Sequence, residues 1–194
     1  MSESWDDFAE EWDTNEDAIA YSEKVFETLV KEINLEGLNV LDFGCGTGLL
    51  TEKMSRLANK IVALDSSGKM VSILNNKKLV NVTTIAEALT DNTIKANSSL
   101  DKNFNLIVAS SVFGFLPEYE STLALLRSLL IPGGLLIQWD WQSSKEDEEF
   151  GLSQERIRLA YRESGLVLKS ITTPFSHLSP KGSTPVLMGV AEKS

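Results

Sequence analysis

A single cysteine, Cys45, and a single histidine, His177, occur in 194 residues. The chain therefore forms no internal disulfide and holds no CxxC metal pair. No catalytic triad and no cluster with metal-ligand spacing appears, so no metal is expected. No apolar run approaches the ~18 residues of a membrane span. The first residues, MSESWDDFAEEWD, are acidic and lack the apolar core of a secretory signal. A soluble cytoplasmic protein is the expectation. Basic residues are also scarce, 18 against 28 acidic ones, for a net charge of −10. Such a surface repels phosphate backbones and disfavours bulk nucleic acid as a partner. There is no repeat, low-complexity tract or linker, so residues 1–194 are expected to form one domain. With 42% hydrophobic residues, the chain has enough apolar surface to fold.

What is present alternates between strand and helix. Ala18, Tyr21, Val25, Leu29 and Ile33 recur at helical steps and predict a helix over 16–33. Val40–Phe43 is a short apolar run, followed by helical spacing at Leu49, Leu50, Met54 and Leu57. IVALD, 61–65, is a second strand, with Ser66 or Ser67 placed to cap a helix whose apolar face is Met70, Val71 and Leu74. VTTI, 82–85, is a third and weaker strand, and 89–103 reads as a loop with one short helix. NLIVASSVF, 105–113, is the fourth strand and its exit. Leu123, Leu126, Leu129 and Leu130 mark a helix ended by Pro132-Gly133-Gly134, and LLIQWDW, 135–141, is the fifth strand. The acid run Glu146–Glu149 reads as a solvated loop. Ser153–Gly165 has a Ser cap and a Gly stop. The runs 165–175 and 185–193 leave no room for a helix between them and predict a hairpin. Short, wholly apolar strands in βαβ order mean a parallel sheet covered on both faces, ending in an antiparallel pair.

The glycine turn VLDFGCGTGLL, 40–50, invites a nucleotide. A dinucleotide turn is GxGxxG, and the third glycine position holds Leu49. A triphosphate loop needs GxxxxGK[ST], and no lysine lies between Gly44 and Leu50. Asp42, just before the turn, would repel a pyrophosphate but attract an ammonium or sulfonium. Asp65 ends the next strand, at the crevice where open α/β sheets bind ligands, and a carboxylate there can accept both hydroxyls of a ribose. One acid for a ribose, one for a cation and no phosphate machinery describe S-adenosylmethionine.

The chain resembles the class I S-adenosylmethionine-dependent methyltransferases of the small single-domain kind. VLDFGCGTG matches their first motif, IVALDSSGKMV the second-strand acid and following helix, FNLIVASSVFGFLPE the fourth strand and exit, and LLIPGGLLIQW the approach to the fifth. SWDDFAEEWD resembles an N-terminal segment that folds over the cofactor, so 1–34 is expected to be a helical cap. The resemblance implies a Rossmann-like doubly wound sheet of seven strands. It implies that Asp42, Gly44, Cys45, Gly46, Thr47 and Gly48 line the methionine end of the cofactor. Asp65 would take the ribose diol, Ser66 and Met70 would flank the adenine, Glu87 and Ala88 would meet its amino group, and Ser110 would border the methyl.

Other residues carry two readings. Cys45 is a small turn residue, or a nucleophile lacking any base but His177. His177 is a general base or a surface loop residue. Trp5, Trp12 and Tyr21 are an aromatic wall over the sulfonium and substrate, or core anchors. Phe113 and Trp141, with Phe115 and Trp139, shape an acceptor pocket or simply pack. Tyr21, Asp140 and His177 are the only acid–base candidates. The Asn/Asp-Pro-Pro-aromatic motif of amine methylation is absent, since the fourth strand exits as ASSVFGF. A small-molecule acceptor leads, with a protein or peptide acceptor next. A non-catalytic methyltransferase-like scaffold is the rival from another class, and an NAD-binding oxidoreductase is a distant third.

Overall fold

Short apolar runs without polar alternation are strands covered on both faces. In a computed structural model, which describes residues 5–143, 151–179 and 182–194, those runs become β1 (Asn39–Phe43), β2 (Lys60–Asp65) and β4 (Phe104–Ser110), with buried centres. With β3 (Val82–Ala86), β5 (Leu130–Trp141), β6 (Val167–Ser179) and β7 (Gly182–Glu192) they form a seven-stranded sheet in the order β3-β2-β1-β4-β5-β7-β6. The chain divides into two compact units, Met1–Leu100 and Asp101–Ser194.

In the first unit β1 pairs with β2 and β2 with β3, both parallel, with Asp42 opposite Ala63 and Asp65 opposite Ala86. The helices are α1 (Trp5–Trp12), α2 (Glu16–Glu32), α3 (Leu49–Ser55), α4 (Gly68–Asn76) and α5 (Asp91–Ala96). Each of three starts where a short polar side chain caps free backbone N–H groups. Asn15 accepts from the N–H of Asp17 and Ala18, Ser67 from Met70, and Thr90 from Thr93. The periodic apolar residues become core: α2 buries Tyr21, Val25 and Leu29, and α4 buries Met70, Val71 and Leu74.

In the second unit β4 and β5 are parallel, while β7 lies antiparallel between β5 and β6. Two helices, α6 (Tyr119–Leu129) and α7 (Gln154–Glu163), follow β4 and precede β6. Ser153 caps α7, and Gly165, at φ +76°, follows its end. The acid run Glu146–Glu149 lies outside the described residues.

The main differences from the sequence reading lie where α6 meets β5 and in the β6–β7 hairpin, which is longer at its turn end than 165–175 and 185–193. Helix α6 stops at Leu129, before the Pro-Gly-Gly, because β5 already begins at Leu130 opposite Phe104. The next paired residues are Leu106 and Leu135, so Pro132-Gly133-Gly134 forms a bulge within β5 rather than a helix terminator. Strand β6 runs on to Ser179 past Pro174. The ladder with β7 shifts register between Thr172 and Phe175, which accommodates a proline on an edge strand.

One packing contact fixes the glycine turn. Gly48 has φ +86°, and a Cβ there would stand 2.3 Å from Cδ1 of Leu74 in α4, itself 1% exposed. Gly46 is also left-handed, at φ +53°, but a Cβ there would meet nothing within 4 Å. Gly46→Ala should thus cost only backbone strain, about 1–2 kcal/mol. Gly48→Ala should cost that and about 1–3 kcal/mol more for overpacking. Equal losses in denaturant unfolding would contradict the close α4 contact.

Candidate functional site

The turn after β1 leaves the sheet by bonding to its neighbour strand. The N–H groups of Gly44 and Cys45 donate to the Leu64 carbonyl at 2.8 and 3.1 Å. Gly44, Gly46 and Gly48 all take left-handed backbone. The end of β2 closes the arrangement: Asp65 accepts the Gly46 N–H on Oδ2 at 2.9 Å and the Ser67 N–H on Oδ1 at 2.8 Å. A carboxylate oxygen has two lone pairs, so each Asp65 oxygen retains capacity for a further donor. The open space beside Gly46 lets a ligand approach the backbone there.

Asp42 is 2% exposed. Its Oδ2 accepts the Thr51 hydroxyl at 2.6 Å. Burial pushes the Asp42 carboxyl up to about 7, against the pull of the Thr51 hydrogen bond and with added repulsion from Asp65. Two carboxylates thus flank the turn, one enclosed and one half-buried. Such a pair attracts a cation and offers acceptors to hydroxyls. Sequence reasoning misses Thr51. Its one signal is its place in the first turn of the helix that follows the glycines, within reach of the β1 acid.

The N-terminal segment is fastened across these elements. Helix α1 packs on α4. Asp6 Oδ1 accepts the Ser67 hydroxyl at 2.5 Å and the Lys69 N–H at 3.4 Å. The Ser67 hydrogen bond is the chief reason the Asp6 carboxyl is held below its usual range. Asp13 Oδ1 accepts the Thr47 hydroxyl at 2.5 Å, and Asp13 Oδ2 pairs with Lys77 at 2.9 Å. The family resemblance has this segment fold over the cofactor and does not point to Asp6 and Asp13 as its fasteners. An acidic helix face looks like ordinary solvated surface until its partners are known.

The remaining candidates fall in varied settings. Ser66, Glu87 and Ala88 are exposed near the ends of β2 and β3, while Met70 is buried in the α4 face. The Cys45 side chain packs with Ala63, Val71 and Leu74, and burial pushes its thiol well up. That favours the turn-residue reading over a nucleophile. Trp5 and Trp12 meet edge to face at 6.1 Å on α1, with Trp5 42% exposed, whereas Tyr21 is buried in α2. In the second unit Ser110 ends β4, half-buried. Phe113 is fully buried against Tyr119, with ring centroids 4.9 Å apart, as packing would have it. Trp141 and His177 meet edge to face at 4.9 Å. Asp140 is enclosed. It accepts the Gly114 N–H on Oδ1 and the Gln138 amide on Oδ2. Burial pushes its carboxyl up to about 7 despite these donors. Among the described residues no group of three or more His, Cys, Asp or Glu is placed to hold a metal. No described helix is long and apolar enough to cross a membrane.

This geometry, a glycine turn between two strand-end acids on a seven-stranded mostly parallel sheet, is that of a methyltransferase fold. Residues 15–163 match the family model described as a methyltransferase domain, and the chain belongs to that family. Among curated proteins, the mitochondrial ubiquinone biosynthesis O-methyltransferase of Dictyostelium discoideum is 32% identical over 123 residues, which are 59% of this chain and 38% of that protein. The chain thus spans about two fifths of the length of the curated relatives it matches. Among solved structures, the putative methyltransferase of Haloferax volcanii in complex with the Trm112 methyltransferase activator gives a TM-score of 0.74 at 17% identity, covering 99% of each chain. The magnesium protoporphyrin IX methyltransferase of Synechocystis with bound S-adenosylmethionine gives 0.67 at 20% identity, over 92% of this chain and 80% of that one.

The raised Asp42 carboxyl has a consequence for stability. Its ordinary value is 3.8 and its folded value about 7, so the fold favours the neutral form. That contribution is complete below about pH 4 and is lost as pH rises through about 7. Asp42→Asn keeps an acceptor for Thr51 and never ionises. Its melting temperature relative to the parent should therefore climb between about pH 4 and about pH 7 and level off above, by roughly 2–4 °C for each kcal/mol relieved. A pH-independent difference would contradict the assignment.

Proposed function

We propose that the protein is an S-adenosylmethionine-dependent methyltransferase acting on a hydroxyl oxygen of a small molecule. The observation that carries this reading is the pair of acids, Asp42 and Asp65, set about a glycine turn open at Gly46. Asp42 is the counter-charge for the cationic methionine end, alongside the backbone of Gly44, Cys45, Gly46, Thr47 and Gly48. Asp65 accepts the ribose hydroxyls on the lone pairs that Gly46 and Ser67 leave. Ser66 and Met70 flank the adenine, and Glu87 and Ala88 receive its amino group. Ser110 and the turn after β4 serve the acceptor side. The O-methyltransferases of ubiquinone biosynthesis among the relatives support a small acceptor and an oxygen nucleophile.

S-adenosylmethionine, when bound, supplies an electrophilic methyl group. The chain's part is to hold it and exclude water. The Asp6–Ser67 and Asp13–Thr47 hydrogen bonds keep α1 over the glycine turn and α4. That cover shields the site and strengthens the attraction of the acids for a cation.

Calorimetric titration with S-adenosylmethionine and S-adenosylhomocysteine tests the reading. Binding of either is expected, and no heat from either at millimolar concentration would overturn it. Asp65→Ala should cost about 1.5–3 kcal/mol of affinity, roughly ten- to a hundredfold in Kd, and an unchanged Kd would remove Asp65 from the site. Because Asp42 must ionise to meet the cation, affinity for S-adenosylmethionine should rise about tenfold from about pH 5.5 to about pH 7. A flat profile would remove Asp42. Transfer of tritiated methyl from the cofactor into a low-molecular-weight cell extract, followed by fractionation, would identify the acceptor. Label entering only protein would contradict a small-molecule acceptor.

A further inference from the structure

We infer that Asp140 is a positioning residue for methyl transfer: its carboxylate gathers the backbone N–H groups of the turn after β4 and so fixes the acceptor side of the reaction. The inference rests on the methyltransferase reading above. Asp140 lies near the end of β5 and is 1% exposed. Its Oδ1 accepts the Gly114 N–H at 2.9 Å, and the N–H groups of Phe113 and Val112 also bond to the carboxylate. Successive N–H groups converging in this way form an anion nest, filled here by the protein's own carboxylate.

The other oxygen carries the constraint inward. Asp140 Oδ2 accepts the Gln138 amide at 2.8 Å, and Gln138 Oε1 accepts the Tyr119 hydroxyl at 2.7 Å. Tyr119 is the first residue of α6. One hydrogen-bonded chain therefore joins the start of α6 to the turn that precedes it. Tyr119 and Gln138 are both fully buried, so the chain is sheltered from competing water. The turn needs such a hold. Ser111, a residue with a Cβ, sits at φ +57°, a conformation that persists only when its surroundings enforce it. Gly114 is hemmed in too, since a Cβ there would stand 3.0 Å from the Gly151 nitrogen. In open α/β sheets ligands bind outside the carboxyl ends of the strands. This turn leaves the carboxyl end of β4, which makes it the wall an acceptor meets. A misplacement of about 1 Å there can cost about a hundredfold in rate.

The test is a donor–acceptor swap. Asp140→Asn sets an amide against the Gln138 amide: either two donors face each other, or Gln138 turns over and the Tyr119 hydroxyl loses its acceptor. Adding Gln138→Glu restores the chain: the new carboxylate accepts from the amide introduced at position 140 and from Tyr119, while the oxygen of that amide faces the turn. The readouts are S-adenosylmethionine affinity by calorimetry and tritium transfer into a low-molecular-weight extract at several dilutions, which separates apparent KM from kcat. Asp140→Asn should bind S-adenosylmethionine within about twofold of the parent and lose at least about tenfold in transfer at saturating cofactor. The double variant should recover at least about a third of the parent rate. Full activity in Asp140→Asn, a cofactor-affinity loss as large as the rate loss, or a folded double variant with no recovery would each overturn the inference. So would failure of both variants to unfold cooperatively, since Asp140 would then serve the fold alone. A parent protein that transfers no methyl at all defeats the methyltransferase reading itself. A parent that transfers beside an equally active Asp140→Asn defeats only this inference.

Discussion

The carboxylate of Asp65 is the junction on which the first unit depends. It ends β2, takes the Gly46 N–H from the turn after β1, and takes the N–H of Ser67, the residue that caps α4. Strand, turn and helix thus meet at one charged acceptor, and hydrogen bonds to an ionised acceptor are about twice as strong as neutral ones. The same Ser67 hydroxyl that caps α4 also donates to Asp6, so the N-terminal cover is tied to that junction as well. Asp13 adds a second tie through Thr47 and Lys77.

Around this junction the two acids make the local charge negative, which favours a cation. Asp42 is buried at a desolvation cost, relieved in part by Thr51 and worsened by Asp65. A protein retains an enclosed acid of this kind at a functional site more readily than elsewhere. A positively charged ligand end would offset both the burial and the repulsion. The second unit shows the opposite use of a buried acid. Asp140 is bonded by the protein's own backbone and by Gln138 and is closed off from solvent, so it shapes a turn.

Much of this was legible in the sequence because strand ends and glycines carry strong local signals. The apolar runs gave β1, β2 and β4 to within a residue or two, and the helix faces of α2 and α4 followed from three- and four-residue spacing. The acids Asp42 and Asp65 were identifiable because each stands at the end of such a run. What escaped was set by contacts distant in sequence. The Pro-Gly-Gly looked like a helix stop, but pairing with Phe104 begins β5 before it. The fit that a third glycine supplies in a dinucleotide turn falls here to Gly48, decided by Leu74 more than twenty residues away. The roles of Asp6 and Asp13 carry no local signal because their partners, Ser67 and Thr47, lie 61 and 34 residues on. Phe113 reads equally well as pocket or packing, and its full burial against the Tyr119 ring favours packing.

The central claim is that the two acids divide a cationic nucleoside between them. A crystal structure with S-adenosylhomocysteine tests it most directly. The account predicts the ribose hydroxyls on Asp65, the amino group on the Asp42 side of the glycine turn, and Asp6 and Asp13 still bonded to Ser67 and Thr47. A ligand bound away from the turn, or one with its carboxylate rather than its amino group toward Asp42, would contradict it.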